Sequence, residues 1–353
     1  MTPWPARTIK PPALRRGDRV AVVTPSWGGP GAQPERYARG RRVLVETFGL
    51  HVVEMPHALD APEAVARDPR GRAADLNAAF RDPSVRAVIA SIGGEDSVRV
   101  LPYLDLDAIA ANPKIYLGYS DSTSIHFGMR KAGVTSFYGP TVMAGFAENV
   151  QPFAYTLDAV RRTLFETAPV GVVEPNRTGW TEEFLDWSDP SLRDRRRQLK
   201  PPTGPRALQG RGTARGPLIG GCAEVLEMLK GTPWWPPLEA WRGAIFFYET
   251  SEEAPGPDYV LRWVRNFASQ GILRVLGGII VGRPYGVAPE KRAGYDAAIL
   301  RALEEDGLTE LPVLADLDFG HTDPIFTLPY GAVAEIDCEA ASLSLVESGV
   351  SPR

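Results

Sequence analysis

The sequence predicts an α/β protein with a mostly parallel sheet and helices on both of its faces. Three observations carry that reading. Short apolar runs recur at 19–24, 85–92 and 114–118, each closing on glycine or proline. Stretches with helical periodicity lie between them. The chain has 353 residues, 44% of them hydrophobic and 23% charged, which is ordinary for a globular protein of about two domains.

The elements follow in order. Arg19 to Thr24 (RVAVVT) reads as the first strand, closed by Pro25 and the glycine-rich loop 28–31. A helix is expected over 34–48, a strand at 51–54, then a polar loop to about Arg70. AADLNAAF at 73–80 reads as a helix, VRAVIASI at 85–92 as a strand closed by Gly93-Gly94, and KIYLG at 114–118 as a strand before a helix at 121–131. This β-α-β rhythm implies a parallel sheet. It breaks after about Ala168. Residues 173–215 are rich in Pro, Arg, Gly and Trp and show no period, as functional loops or linkers do. Order resumes near Gly216. Helices are expected at 222–229, 257–268 and 292–305, and strands at 244–248, 276–281, 311–315 and 332–337. A boundary is expected near 165–205, and no internal repeat is visible.

Composition excludes several classes. The net charge is −4, so there is no basic excess for a nucleic-acid polymer. The densest basic patch, Arg193, Arg195, Arg196, Arg197 and Lys200, reads as a solvated loop. No apolar run approaches the ~20 residues of a membrane helix, and the first residues lack the apolar stretch of a secretory signal. Cys222 and Cys338 sit in apolar contexts without a CxxC pattern and read as buried thiols of a reducing, cytoplasmic compartment. The four histidines, His51, His57, His126 and His321, show no metal-ligand spacing, so no metal and no cofactor is expected. The loop after the first strand lacks the G-x-G-x-x-G spacing of a dinucleotide site. There are 35 glycines and 33 prolines, roughly a fifth of the chain against a usual ~12%. They are dispersed, which suggests turns rather than disorder.

Gly118-Tyr119-Ser120-Asp121-Ser122 is the sharpest local pattern. A serine on a tight strand-to-helix turn exposes its Oγ above the sheet, as in the nucleophile elbow. The fifth position is Ser122 instead of glycine, and Ser120 or Asp121 could equally cap the helix. A serine nucleophile needs a histidine and an orienting acid. His321 lies in the polar loop 318–324 just beyond a strand, where a base is expected in α/β proteins. Glu249 directly follows the strand AIFFY, a place suited to an orienting carboxylate or to a simple cap. For an oxyanion hole, the backbone N–H groups of Asp121 and Gly94 are the candidates.

Ser91-Ile92-Gly93-Gly94, Asn112 to Asp121, Phe137-Tyr138-Gly139-Pro140, Ile219-Gly220-Gly221, the strand ending at Glu249 and Asp318 to Pro324 occur in an order that resembles the LD-carboxypeptidase family of serine peptidases. The resemblance spans about residues 15 to 348. It implies a Ser120–Glu249–His321 triad. It also implies a Rossmann-like nucleophile domain at 1–165, a linker and substrate loop at 166–205, and a C-terminal α/β domain at 206–353. That last domain would have a mixed, partly barrel-like sheet carrying the acid and base. Family members are often homodimers. One branch trims peptidoglycan tetrapeptides between an L-centre and a terminal D-Ala. The other, the microcin-immunity branch, cuts the amide joining an aminoacyl group to a nucleotide moiety. Trp180 to Trp187 resembles the long loop of the second branch, with Trp187 placed to stack on a nucleobase and Trp180 beside it as a further substrate-binding candidate. Where that branch carries a basic residue, this chain has Glu253, and Glu224 adds another acid to the candidate subsite. The expected function is therefore hydrolysis of an aminoacyl-nucleotide-like amide. Alternatives are a muropeptide carboxypeptidase or a non-catalytic ligand-binding module on the same fold.

Overall fold

The computed structural model describes residues 4–353. Among the described residues fourteen strands run in chain order: β1 (Arg19–Val23), β2 (His51–Glu54), β3 (Val85–Ala90), β4 (Ile115–Gly118), β5 (Ser136–Tyr138), β6 (Gly171–Val172), β7 (Arg206–Gln209), β8 (Thr213–Cys222), β9 (Ile245–Glu249), β10 (Gly278–Gly282), β11 (Val313–Leu317), β12 (Leu328–Tyr330), β13 (Val333–Asp337) and β14 (Ser342–Leu345). They form a six-stranded sheet of order β12-β5-β4-β3-β1-β2 and an eight-stranded sheet of order β6-β14-β13-β8-β9-β10-β11-β7.

In the first sheet β1 to β5 pair in parallel, and β12 closes the edge antiparallel to β5. Alternate side chains point to opposite faces of a strand, so each strand feeds two cores. Val20, Val22, Ala87, Ile89, Ile115 and Leu117 pack on one face with Tyr37 and Leu44 of the helix Pro34–Glu46. Ala21, Val23, Val88, Ala90 and Tyr116 pack on the other with Leu76 and Phe80 of Pro69–Arg81 and with Ile125 and Phe127 of Thr123–Lys131. A strand buried on both faces needs apolar residues throughout, which is why these segments read as unbroken runs. The second core continues into the C-terminal half.

The long strand β8 joins two kinds of pairing. Its first half is antiparallel to β13, and its second half is parallel to β9. β9, β10 and β11 continue in parallel, with Pro257–Ser269 and Arg292–Glu305 as their helices. Among the described residues no helix is long and apolar enough to cross a membrane.

Some expectations need correction. The polar loop before Arg70 contains a helix, Pro62–Arg67. The glycine-rich loop after β1 holds one helical turn, Gly29–Ala32. The basic patch is not freely solvated: Arg193 pairs with Glu35, Arg195 with Glu183, Lys200 with Glu182, and Arg197 with Glu148 and Asp323. The pairs to Glu35, Glu148 and Asp323 and the β-bridge from Thr181 to Asp323 tie the aperiodic segment to both halves, while the pairs to Glu182 and Glu183 and the Trp180–Lys200 bridge fold it on itself.

Candidate active site

Both sheets turn carboxyl ends of parallel strands toward one site, the usual place for ligands in open α/β sheets. β4 ends at Gly118. The chain then passes through extended Tyr119 into Ser120, whose φ is +62°. A left-handed backbone is uncommon for a residue with a Cβ and carries strain that surrounding contacts must hold. Here the holding contacts are identifiable. The Ser120 N–H donates to Tyr138 Oη at 3.1 Å. His126 Nε2 lies 2.9 Å from the Gly118 carbonyl and Nδ1 lies 2.7 Å from Ser136 Oγ. Burial lowers the His126 pKa to about 4, so this ring is neutral and structural. Gly93, at the end of β3, lies directly against the serine: a Cβ there would sit 3.0 Å from Ser120 Oγ.

Glu249 is the last residue of β9 and is fully buried. Its Oε2 lies 2.7 Å from His321 Nδ1, and its Oε1 accepts from Tyr138 Oη at 2.5 Å. Tyr138 therefore joins the serine backbone to the carboxylate. Gly320, with φ +98°, allows the close approach, because a Cβ there would meet Glu249 Oε2 at 2.7 Å. Tyr119 packs on the His321 ring with centroids 5.1 Å apart. The outer ring nitrogen, Nε2, is buried and has no hydrogen-bond partner among the described residues. Glu252 Oε2 lies 3.4 Å from it without the alignment of a hydrogen bond.

The electrostatics are acidic. Burial alone would lower the His321 pKa, but the charge and hydrogen bond of Glu249, with the charges of Glu252 and Glu224, outweigh it and push the pKa up to about 9. Glu224 accepts from the Ser251 N–H at 3.0 Å and from its hydroxyl at 2.9 Å, and takes a hydrogen bond from Cys222 Sγ at 3.1 Å. Glu253 is exposed, and its pKa is raised by partial burial and by Glu224, Glu95 and Glu252.

The expected site residues divide as follows. Ser120, Glu249 and His321 converge, although no hydrogen bond joins Ser120 Oγ to His321. Glu224 acts on His321 through its charge, and Glu253 is joined to Glu224 only by way of Ser251, whose Oγ accepts from the Glu253 N–H at 3.3 Å. Gly94 packs on Ser26, whose Oγ a Cβ would meet at 2.2 Å, and its N–H makes no backbone hydrogen bond. Asp121 is buried, with Oδ2 accepting from Ser26 Oγ at 2.5 Å and from the Ser97 N–H at 2.8 Å. Its side chain braces the elbow. Trp187 is half-buried beside Trp27, with the Arg36 guanidinium 4.0 Å over its ring. It lines a cavity of about 220 Å³ with Arg36, Arg39, Asn149 and Arg193. Trp180 is only 1% exposed, and Arg283, Arg292 and Lys200 lie over its ring, so it packs the long loop against the C-terminal half.

The sequence reading gave no site role to Tyr138, which it held only as part of a motif, or to Cys222, which it read as a buried thiol. Cys222 and Glu249 are register partners across β8 and β9. Cys222, Glu249 and His321 thus place three metal-capable atoms within 4.8 Å of one another, a grouping that sequence spacing does not reveal.

Known proteins resemble this chain in both of its halves. Residues 20–139 match the LD-carboxypeptidase N-terminal domain, and residues 215–336 match the C-terminal domain. The chain is 30% identical over 286 residues to the microcin C7 self-immunity protein MccF of Escherichia coli, covering 79% of each. It is 32% identical over 346 residues to SCO6489 of Streptomyces coelicolor, whose name places it among carboxypeptidases, covering 96% of each. MccF solved with aspartyl sulfamoyl adenosine superposes with a TM-score of 0.87 at 27% identity, over 97% of this chain and all of that one. An MccF-like protein from Streptococcus pneumoniae solved with AMP gives 0.83 at 28% identity, over 93% and 98%. The elbow on one sheet, the Glu–His pair on the other and both domain matches lead to one conclusion: the chain belongs to the LD-carboxypeptidase family.

Proposed function

We propose that the protein is a serine amide hydrolase. In this reading it uses Ser120, His321 and Glu249 to cleave the bond between an aminoacyl group and a nucleotide-like moiety. The observation that carries it is the 2.7 Å Glu249–His321 hydrogen bond beside a serine held at φ +62°. Glu249 fixes Nδ1–H, which leaves Nε2 as the atom that takes the Ser120 proton. Ser120 Oγ then attacks the scissile carbonyl, with the N–H groups of Asp121 and Gly94 aimed at the oxyanion. His321 returns the proton to the leaving nitrogen, and water releases the acyl group. Serine–histidine bonds are often long before substrate binds and tighten in the complex.

The nucleotide side of the reading rests on the aromatic shelf. The Trp27 backbone N–H donates to Gly93 O at 3.2 Å, and its ring stands beside Trp187, so a flat ring system has a surface leading away from the elbow. MccF has been solved with aminoacyl sulfamoyl nucleosides. A second reading, release of the terminal residue of a muropeptide, is favoured by the acids. Glu224, Glu252 and Glu253 oppose an anionic phosphate-like linkage and accept an ammonium group. Incubation with an aminoacyl sulfamoyl adenosine and, separately, with a disaccharide tetrapeptide tests the pair. Cleavage of the nucleoside substrate is expected. Rapid D-Ala release with an untouched nucleoside overturns the preferred reading.

The histidine sets a pH prediction. The base must be neutral to act, and its pKa stands near 9. In that case kcat/KM rises about tenfold from pH 7 to pH 8. Glu252→Gln removes one of the acids that raise the pKa, so the rising limb moves to lower pH. A limb that is flat above pH 6.5 contradicts the assignment. For stability the sign is opposite. The raised pKa contributes fully below the unfolded value of ~6.5 and is lost as pH rises through about 9.

A further inference from the structure

We propose that Arg72, paired with Asp96, is a positioning residue that sets the spacing of the two oxyanion donors, the N–H groups of Gly94 and Asp121. The catalytic half of this inference rests on the serine hydrolase reading. The two donors stand on different loops: Gly94 follows β3, and Asp121 follows β4. Sheet pairing fixes the strand ends but not the loops beyond them. Thr24 Oγ1 and Ser91 Oγ, 2.8 Å apart, tie the ends of β1 and β3 at the level of the sheet. Above that level the loops need ties of their own.

Arg72 supplies one. It belongs to the helix Pro69–Arg81, which packs on the first sheet through Leu76 and Phe80, and it is 2% exposed. Its Nη1 donates to the Pro25 carbonyl at 2.9 Å and to Asp96 Oδ1 at 2.7 Å, and its Nη2 donates to Asp96 Oδ2 at 3.2 Å. One guanidinium therefore ties the loop after β1 and the loop after β3 to a single helix. Gly94 sits where these loops meet: a Cβ there would lie 2.2 Å from Ser26 Oγ and 2.9 Å from the Trp27 backbone nitrogen. The elbow joins them through Asp121, whose Oδ2 accepts from Ser26 Oγ and the Ser97 N–H and whose carbonyl accepts from Ser97 Oγ at 2.7 Å. A shift of residues 94–97 thus moves one donor relative to the other.

A buried ion pair adds little net stability over an apolar pair of the same shape. What a bidentate arginine–carboxylate contact adds is direction, because the planar fork meets the carboxylate in one orientation. An oxyanion hole depends on direction, since its donors must already point to where charge develops. Arg99 provides the contrast. It is half-exposed and holds Asp96 Oδ2 at 2.8 Å from the solvent side, and its other bond runs to the Ala66 carbonyl.

Kinetics of Arg72→Lys, Asp96→Asn and Arg99→Gln test the role. Lysine keeps the charge and loses the fork, so kcat is expected to fall about 10²-fold, the cost of ~1 Å of misplacement. Asparagine leaves Arg72 one acceptor, so a fall of roughly tenfold is expected. In both, KM is expected to stay within about twofold of wild type, and the rising pH limb of His321 to stay in place. A boronic acid analogue of the acyl group, which forms a tetrahedral adduct on the serine, is expected to lose affinity in parallel with kcat. Arg99→Gln is expected to keep kcat within about twofold. Wild-type kcat in Asp96→Asn, an equal loss in Arg99→Gln, or a loss that only follows the folded fraction overturns the role. If Arg72→Lys fails to fold, Asp96→Asn decides, because that side chain is already 31% exposed. Hydrogen exchange of residues 93–97 reads the tether without turnover. Faster exchange is expected in Asp96→Asn, and an unchanged rate overturns the tether. If exchange rises while the wild type hydrolyses neither test substrate, the tether stands, and the hydrolase reading fails together with the catalytic role.

Discussion

Ser120→Ala is expected to lower kcat by about 10⁴-fold or more while leaving the melting temperature within a degree or two of wild type. The size follows from the role: without Oγ no acyl-enzyme forms, and only binding and oxyanion contacts remain. The small structural effect follows from the packing. Ser120 is partly exposed, and its side chain makes no hydrogen bond within the fold; the elbow is held by the Ser120 N–H, which alanine keeps. Single-turnover hydrolysis of the nucleoside substrate and a thermal melt read the two quantities separately. Near-normal turnover would remove Ser120 from the chemistry. A large drop in melting temperature would recast it as a structural cap.

Glu249→Gln is expected to cost about 10⁴-fold in kcat. Both carboxylate oxygens act as acceptors here, one for His321 Nδ1 and one for Tyr138 Oη. Glutamine has one acceptor and one donor end. If its NH₂ faces the imidazole, Nδ1 loses its proton and the ring turns to the wrong tautomer. If it faces Tyr138, the tyrosine must give up its hydrogen bond, and the Ser120 amide loses a partner fixed from the other side. Either way the negative charge that stabilises the imidazolium is gone. The substitution should also lower the His321 pKa, so its residual activity should peak at lower pH than the wild type. Activity within tenfold of wild type would show that Glu249 does not orient the base.

The placement of Ser120, Glu249 and His321 is legible in the sequence because each stands beyond or at a strand end marked locally: small residues around the elbow, an apolar run before Glu249, glycine and proline around His321. That of Tyr138 and Cys222 is not. Their importance comes from cross-strand register, since Cys222 meets Glu249 through the parallel β8–β9 pair and Tyr138 reaches it from the other sheet. The strands β5 and β12 have three residues each, too few to show a period, and they are defined by their pairing, β5 with β4 and β12, and β12 with β5. Residues 173–205 show no pattern because ion pairs such as Arg193–Glu35 and Arg197–Glu148 hold them, whereas 206–215 contain β7 and the start of β8, whose strand partners lie far along the chain. Trp180 and Trp187 looked alike in sequence. Only packing separates the one sealed under guanidinium groups from the one that lines a cavity.

The pairing of β12 with β5 places a schedule on synthesis. Residues 136–138 wait for residues 328–330, roughly 190 residues later. At ~5–20 residues per second on the ribosome, that edge of the first sheet stays uncovered for about 10–40 s. Over the same interval Glu249 and His321 have yet to emerge, so the Glu249–His321 pair does not yet exist. A nascent chain therefore carries the elbow without the pair proposed to activate it. The last strand to dock on the first sheet follows the histidine by seven residues, so the site and the sheet edge are completed at nearly the same moment.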